Sequence, residues 1–408
     1  MNRNSLFTTS AKGLITIAVI TAGFAAQAQP NKAPRYSLKD LGPAGNPFGQ
    51  ATYITDTGLV TGFVTASDGT SHAVVWDRGV ITDISKPGLG GPNSGAGGAN
   101  LLGQILGGAE TSNKDPNNEN FCTYGTGLQC LVFLQQRGMT IPLPTLGGTN
   151  AGFGTINNLG AVSGYAENNH RDPDCRPGIA INGTGPQVLD FEPVIWGPKP
   201  GQIRELRLLN GDTVGMAFGL NDLGQAVGTS GTCANTLIPG FGAGPHAVLW
   251  DSDGSVHDLG NLGGTINTAL LGSGTVAFAI NNRGQVAGVS DLPGDNAFHP
   301  FLWTRQTGML DLGVLSGDSV GAGLGMNSLG DVVGASITAP GPASGNPRAF
   351  LWHKGRMSDL NALIQGNSSM YLLTAFSIND EGQIAGFGVV TSGPDAGNVH
   401  GFLATPNF

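Results

Sequence analysis

One phrase recurs along this chain and restricts what it can fold into: an apolar residue, then Asn or Thr, two variable residues, and Gly. It reads Ile-Thr-Asp-Thr-Gly at 54–58, Ile-Asn-Asn-Leu-Gly at 156–160, Leu-Asn-Asp-Leu-Gly at 220–224 and Ile-Asn-Asn-Arg-Gly at 280–284. Met-Asn-Ser-Leu-Gly follows at 326–330 and Ile-Asn-Asp-Glu-Gly at 378–382, with a degenerate Asn-Leu-Leu-Gly at 100–103. A short apolar run ending in Gly comes next, as in Gln-Val-Ala-Gly at 285–288. A second phrase is His-Ala-Val-Val-Trp at 72–76, His-Ala-Val-Leu-Trp at 246–250, His-Pro-Phe-Leu-Trp at 299–303 and Arg-Ala-Phe-Leu-Trp at 348–352. Weaker copies lie at 131–134, 193–196 and 400–403, and all five tryptophans close this phrase. A third phrase is His-Asp-Leu-Gly at 257–260, Leu-Asp-Leu-Gly at 310–313 and Ser-Asp-Leu-Asn at 358–361. Self-similarity at this period, 45 to 64 residues between the turn glycines, marks a repeat architecture.

Each unit reads as four short strands. Strand a ends in the Asn phrase, whose Gly supplies the positive φ of a tight turn. Strand b is the apolar run, strand c the Trp phrase and strand d the Asp-Leu-Gly phrase. Strand c is apolar at successive positions, so both of its faces are buried. Sheets stacked around an axis offer that environment, and no amphipathic helix of ten or more residues competes with it. The expected fold is therefore all-β, a propeller of about seven four-stranded blades in one domain over 29–408. The chain ends after the seventh strand c, whereas Tyr-Ser-Leu-Lys-Asp-Leu-Gly at 36–42 precedes any strand a. That segment is expected to complete the last blade as its strand d, leaving no free sheet edge at the junction.

Glycine, 68 of 408 residues, suits so many turns, and a 39% apolar content suffices for a large core. A collagen-like chain would need Gly at every third position, which is absent. The net charge of −9 comes without a Lys/Arg cluster, which argues against nucleic acid as a partner. Arg3 and Lys12, an apolar stretch over 13–25 and Ala26-Gln27-Ala28 read as a signal peptide over 1–28, cleaved after Ala28. The mature chain is then secreted or periplasmic, with no transmembrane segment. Four cysteines in an exported chain read as disulfides with three possible connectivities. Position favours Cys122 with Cys130 and Cys175 with Cys233.

The phrases resemble those of the HAF-repeat family of exported bacterial proteins, best at 280–288 with 299–303 and at 326–334 with 348–352. The resemblance covers about 36–404 and implies the repeat fold and export. It implies no catalytic residue.

In an a–b–c–d meander the b–c and d–a connections share one rim. Counted from the strand-b Gly, the b–c gaps of units two, three and four are enlarged, spanning 108–130, 165–192 and 229–245. Connections this long inside a compact domain are functional or disordered. The ligand-binding candidates on this rim are Glu167, His170, Arg171, Asp172 and Asp174. Gly-Asp-Ser-Val-Gly at 317–321 matches a hydrolase nucleophile pattern but aligns with d–a loops and lacks the required strand-to-helix turn. Asp251-Ser252-Asp253-Gly254 occupies a c–d turn, where Asp and Gly are expected on conformational grounds. His72, His246, His299 and His400 sit in separate blades, so a structural hydrogen-bonding role is expected for them, and inter-blade packing for the tryptophans. No catalytic residue, metal or cofactor is assigned. The reading is a monomeric, non-catalytic propeller that binds an extracellular or periplasmic protein or glycan on the long-loop rim. Its alternatives are a secreted enzyme acting on a polysaccharide or similar polymer, and a structural envelope component.

Overall fold

The computed structural model describes residues 34–42, 47–175, 186–236, 244–265, 274–338 and 345–407. The signal-peptide reading of 1–28 lies outside them. Seven four-stranded antiparallel sheets form a seven-bladed β-propeller, each ordered a–b–c–d from the axis outward. Blade five is typical: strand a Val276–Ile280, strand b Val286–Asp291, strand c Phe298–Thr304 and strand d Gly308–Asp311. Blade seven takes its first three strands from the C-terminal end and its fourth from the N-terminal one. Arg35–Asp40 pairs antiparallel with Val399–Asn407, Lys39 opposite Leu403 and Asp40 opposite Phe402. The ring is closed as the terminal phrases require. Both cysteine pairs are also as position favours, Cys122 with Cys130 and Cys175 with Cys233. No helix among the described residues is long and apolar enough to cross a membrane.

Each repeated residue has a physical task. All seven turn glycines, 58, 103, 160, 224, 284, 330 and 382, have φ between +71° and +87°, a region that Gly enters without a Cβ penalty. The preceding Asn does two things at once. Its Oδ1 accepts from backbone N–H groups of its own turn, as Asn281 does from Arg283 and Gln285. Its Nδ2 donates to the carbonyl of the equivalent residue in the next blade. These links run Asn100 to Asn157, Asn157 to Asn221, Asn221 to Asn281, Asn281 to Asn327, Asn327 to Asn379 and Asn379 to Thr55, at 2.9–3.3 Å. Asp could make the first set of bonds but not the second, because a carboxylate has no donor. Blade one carries Thr55, whose hydroxyl stays within its own turn.

The second and third phrases are also joined. The residue opening strand c pairs with the Asp of strand d in the same blade: His72 with Asp83 at 2.8 Å, His246 with Asp258 at 3.2 Å, His299 with Asp311 at 2.9 Å, His400 with Asp40 at 3.0 Å and Arg348 with Asp359 at 3.4 Å. The same Asp accepts the backbone N–H two residues on and so closes the following turn. The expected structural role of these histidines is observed. Trp76, Trp196 and Trp250 each donate an indole N–H to the outer segment of the preceding blade, at Leu41, Pro144 and Arg207, at 2.6–2.8 Å. The tryptophans fasten blade to blade, as expected.

Strand a carries a bulge in every blade, opposite the strand-b glycine. The bulge brings a strand-a carbonyl so close that a Cβ on that glycine would lie 1.9 Å from Gln50 O at Gly62, 1.9 Å from Met216 O at Gly228 and 1.9 Å from Ala322 O at Gly334. Only Gly fits there. A bulge re-aims side chains, and here it turns Thr52, Phe218, Phe278, Leu324 and Phe376 toward the axis, where all five line the central cavity.

Candidate functional site

Two regions stand out, one on each rim. The first is the lobe of enlarged b–c connections on blades two to four. Its loops are shorter than the sequence gaps suggest. Strand b runs on to Lys114 in blade two and to Arg171 in blade three, ten residues each, so the connection of blade two is only 115–127, and in blade three the described strands end at Arg171 and resume at Leu189. Polar runs such as Glu110-Thr111-Ser112-Asn113 read as loop, yet they pair in the sheet beyond a register shift.

Glu167, a candidate for the rim, does not face solvent. It is fully buried, and its Oε2 accepts the backbone N–H groups of Thr149 at 3.2 Å and Asn150 at 2.9 Å. Glu110 and Asp291 hold the equivalent position in blades two and five, also buried. A Cβ on the second Gly of each facing Leu-Gly-Gly loop (Gly91, Gly148 and Gly264) would lie 2.4–2.5 Å from the Cβ of that acid. The acid at the end of strand b and the Gly-Gly of the d–a loop form one packing unit.

Around Glu167 lies a set of groups with no sequence signal. Glu119 of loop two is fully buried and accepts from the N–H groups of Val188 at 2.7 Å and Leu189 at 3.1 Å, which ties loop two to loop three. Gln187 Nε2 bridges Glu119 Oε1 and Glu167 Oε1, at 3.3 and 3.1 Å. Asp115 accepts from Thr149 Oγ1 at 2.6 Å and Asn150 Nδ2 at 3.0 Å. Burial, and then the charge of Glu119, push the Glu167 pKa up to about 8. Burial also raises Glu119. Glu192 is pushed up to about 8 by burial and then by Glu205 and Asp190.

These shifts have a consequence for stability. Glu167 and Glu192 hold their protons more tightly in the folded than in the unfolded chain, where they titrate near 4.5. The stability this confers is complete below pH 4.5 and is lost as pH rises through about 8. A melting-temperature series is therefore expected to decline from about pH 4.5 to about pH 8 and to level off above it. Glu167→Gln, which carries no titrating proton, is expected to flatten that decline, and an unchanged slope would contradict the assignment.

The other candidates scatter. His170 is exposed and pairs with Asp190 at 2.6 Å. Arg171 reaches out to Asn117 Oδ1 at 2.7 Å. Asp172 is buried and accepts from Thr213 at 3.0 Å and from the Asp174 N–H at 2.7 Å. Arg171 and Asp172 do share a surface recess of about 360 Å³ with Pro173, Cys175, Pro186, Gln187 and Val188. Gly-Asp-Ser-Val-Gly at 317–321 is a d–a turn, matched by Gly-Asp-Thr-Val-Gly at 211–215. Asp318 takes Ser336 Oγ at 2.7 Å, and Asp212 takes Ser230 Oγ at 2.6 Å.

The second region is the central cavity, about 710 Å³, bounded by the a–b turns at one end. Tyr53, Phe153, Phe218, Phe278, Phe376 and Phe387 line its wall, and Asp56, Asn158, Asp222, Asn282 and Asp380 line its mouth. The side chain at the mouth accepts a backbone N–H from the preceding blade, as Asp222 does from Asn158, Asp380 from Ser328 and Asp56 from Asp380, at 2.8–3.0 Å. Burial and then Asp56, Asp222 and Asp380 push the Tyr53 phenol up to about 12. Leu102, Leu159, Leu223 and Leu329, next in their turns, are 55–62% exposed and give this face an apolar fringe. The repeat phrase contains these leucines but gives no sign that they face solvent.

No protein-family model matches the chain, and no curated protein matches it. Among solved structures it is similar to a copper-bound fungal alcohol oxidase, at 11% identity over 92% of this chain and 77% of that one, TM-score 0.46. It is similar to the acylaminoacyl peptidase of Pyrococcus horikoshii, at 12% identity over 85% of this chain, TM-score 0.42, and spans 58% of the peptidase's length. A protein of unknown function from Dyadobacter fermentans is 10% identical over 91% of this chain and 100% of its own, TM-score 0.40. Likenesses at these levels say nothing about activity.

Proposed function

We propose that the chain is an exported, non-catalytic β-propeller that binds a protein or glycan through the lobe of blades two to four, and that it belongs to the HAF-repeat family. The observation that carries the binding reading is the construction of the lobe. The Cys175–Cys233 disulfide staples blade three to blade four, and Glu119 staples loop two to loop three. Links of this kind suit binding, because they reduce the ordering entropy lost on association by the segments they tie down. The carboxylates nearest the centre of the lobe, Glu119 and Glu167, are occupied by backbone N–H donors, which favours binding over acid–base catalysis there. The two disulfides fit an oxidising compartment.

The test uses the intact chain and Arg171→Ala, a change at an exposed side chain whose hydrogen bond goes to Asn117. Both are immobilised and presented with periplasmic extract and with a panel of soluble polysaccharides. Retention by the intact chain and at least tenfold loss with Arg171→Ala, at an unchanged melting temperature, is the expected outcome. Equal retention would move the binding surface elsewhere. Shortening of any polysaccharide would establish the enzyme alternative instead.

A further inference from the structure

We propose that the central cavity, on the rim opposite the long loops, is a binding site for an organic cation: an amine or quaternary ammonium group carrying an aromatic or aliphatic body. A volume of about 710 Å³ lies within the range of small-molecule sites, roughly 300–1,000 Å³. The wall is built for an apolar body, because the strand-a bulges present Phe218, Phe278, Leu324 and Phe376 to it, with Phe153 and Phe387 beside them. Aromatic faces also attract cations directly.

The mouth selects the charge. Asp56, Asp222 and Asp380 line it, and no Lys, Arg or His stands among the described residues that line the cavity. Each carboxylate is held by one oxygen, through the backbone N–H of the preceding blade. Asp222 Oδ2 also accepts from Asn158 Nδ2 and Asn282 Nδ2, at 3.3 and 3.2 Å. Asp56 and Asp380 sit in adjacent blades, and among the described residues nothing donates to their second oxygens. Two pre-positioned carboxylates with free oxygens therefore face an incoming ammonium group, and Asp222, three blades away around the ring, adds a third negative charge to the same mouth. A carboxylate-bearing guest would meet three like charges at the mouth. A neutral polyol could donate hydrogen bonds to them but would gain no charge attraction.

The repeat supplies its own control. Blades three and five place Asn158 and Asn282 where blades four, seven and one place Asp222, Asp380 and Asp56. Asn makes the same bond there, since Asn282 Oδ1 accepts the Asp222 N–H at 2.9 Å. The triple change Asp56→Asn, Asp222→Asn, Asp380→Asn is thus expected to keep the fold while removing the charge. In the same way, Phe376→Thr copies the residue that blade one carries at that position, Thr52.

The experiment is calorimetric titration of the full chain with benzyltrimethylammonium, benzylamine, benzyl alcohol, benzoate and glucose. The two cations are expected to bind at least tenfold more tightly than benzyl alcohol, and benzoate and glucose not at all. The triple Asn variant is expected to lose at least tenfold in cation affinity, with benzyl alcohol unchanged. Phe376→Thr is expected to weaken both cations and benzyl alcohol severalfold. The proposal is overturned if benzyl alcohol binds as well as benzylamine, if cation binding survives the triple change, if glucose binds in preference, or if no probe binds at about 10 mM. The loop-lobe reading stands or falls separately, since Arg171→Ala leaves this cavity untouched.

Discussion

Replacing Gly334 by Ala is expected to abolish the native packing of blade six. A methyl group there would sit 1.9 Å from the carbonyl oxygen of Ala322 and 2.9 Å from the Phe350 ring. The first is a backbone atom inside the bulge, so it cannot yield without undoing the bulge. Overpacking against side chains costs roughly 1–3 kcal/mol, and a rigid backbone obstacle places this change above that range, at more than ~3 kcal/mol. Gly355→Ala is the control. It also replaces a glycine, at a c–d turn with φ +81° and nothing within 4 Å of a Cβ. Only the left-handed backbone penalty applies, about 1–2 kcal/mol. Urea titration of the two variants should separate them clearly. Similar midpoints would show that the close approach of strand a to strand b is not a structural necessity.

Removing the N-terminal strand has an effect of the same order. A chain beginning at Pro47 would lose the pairing of Arg35–Asp40. It would also lose Tyr36 and Leu41, which are 1% and 4% exposed, the acceptor for Trp76 Nε1 and the Asp40 partner of His400. Emptying one large buried apolar site costs roughly 2–5 kcal/mol, against a total stability of about 5–15 kcal/mol for a typical protein. Strand c of blade seven, Val399–Asn407, would become a nine-residue free edge, and such edges pair with other chains. The truncated chain is expected to aggregate or to melt without cooperativity. A synthetic peptide covering 34–42 should restore a cooperative melt when added in excess. A truncated chain that melts like the intact one would show that the closing strand contributes little.

Much of this architecture is legible in the sequence because the signals are local and repeated. Turn glycines, the apolar strand c and the displaced Asp-Leu-Gly at the N-terminal end define blades, their number and their closure. The cysteine pairing follows from which loops share a rim. What cannot be read depends on a partner strand or a neighbouring blade. Asn281 reads as a turn residue, whereas its link to Asn327 exists only in the closed ring. Gly288 reads as a strand end, whereas it is required by the Val276 carbonyl, 2.0 Å from where its Cβ would be. A bulge shifts the alternation of sides within strand a, so Phe278 gives no sign that it faces the axis. Glu167 reads as a rim carboxylate because it follows the strand-b Gly at the start of a polar run. The sheet in fact continues through it and buries it.

The most direct test of the account is a cross-link across the closing pair. Ser37 and Thr405 stand opposite each other between the two terminal strands, far in sequence from the four native cysteines. A chain carrying Ser37→Cys and Thr405→Cys is expected to form a third disulfide within one molecule and to resist urea better than its reduced form. Thiols that stay free, or that join two molecules, would contradict a ring closed by its own ends.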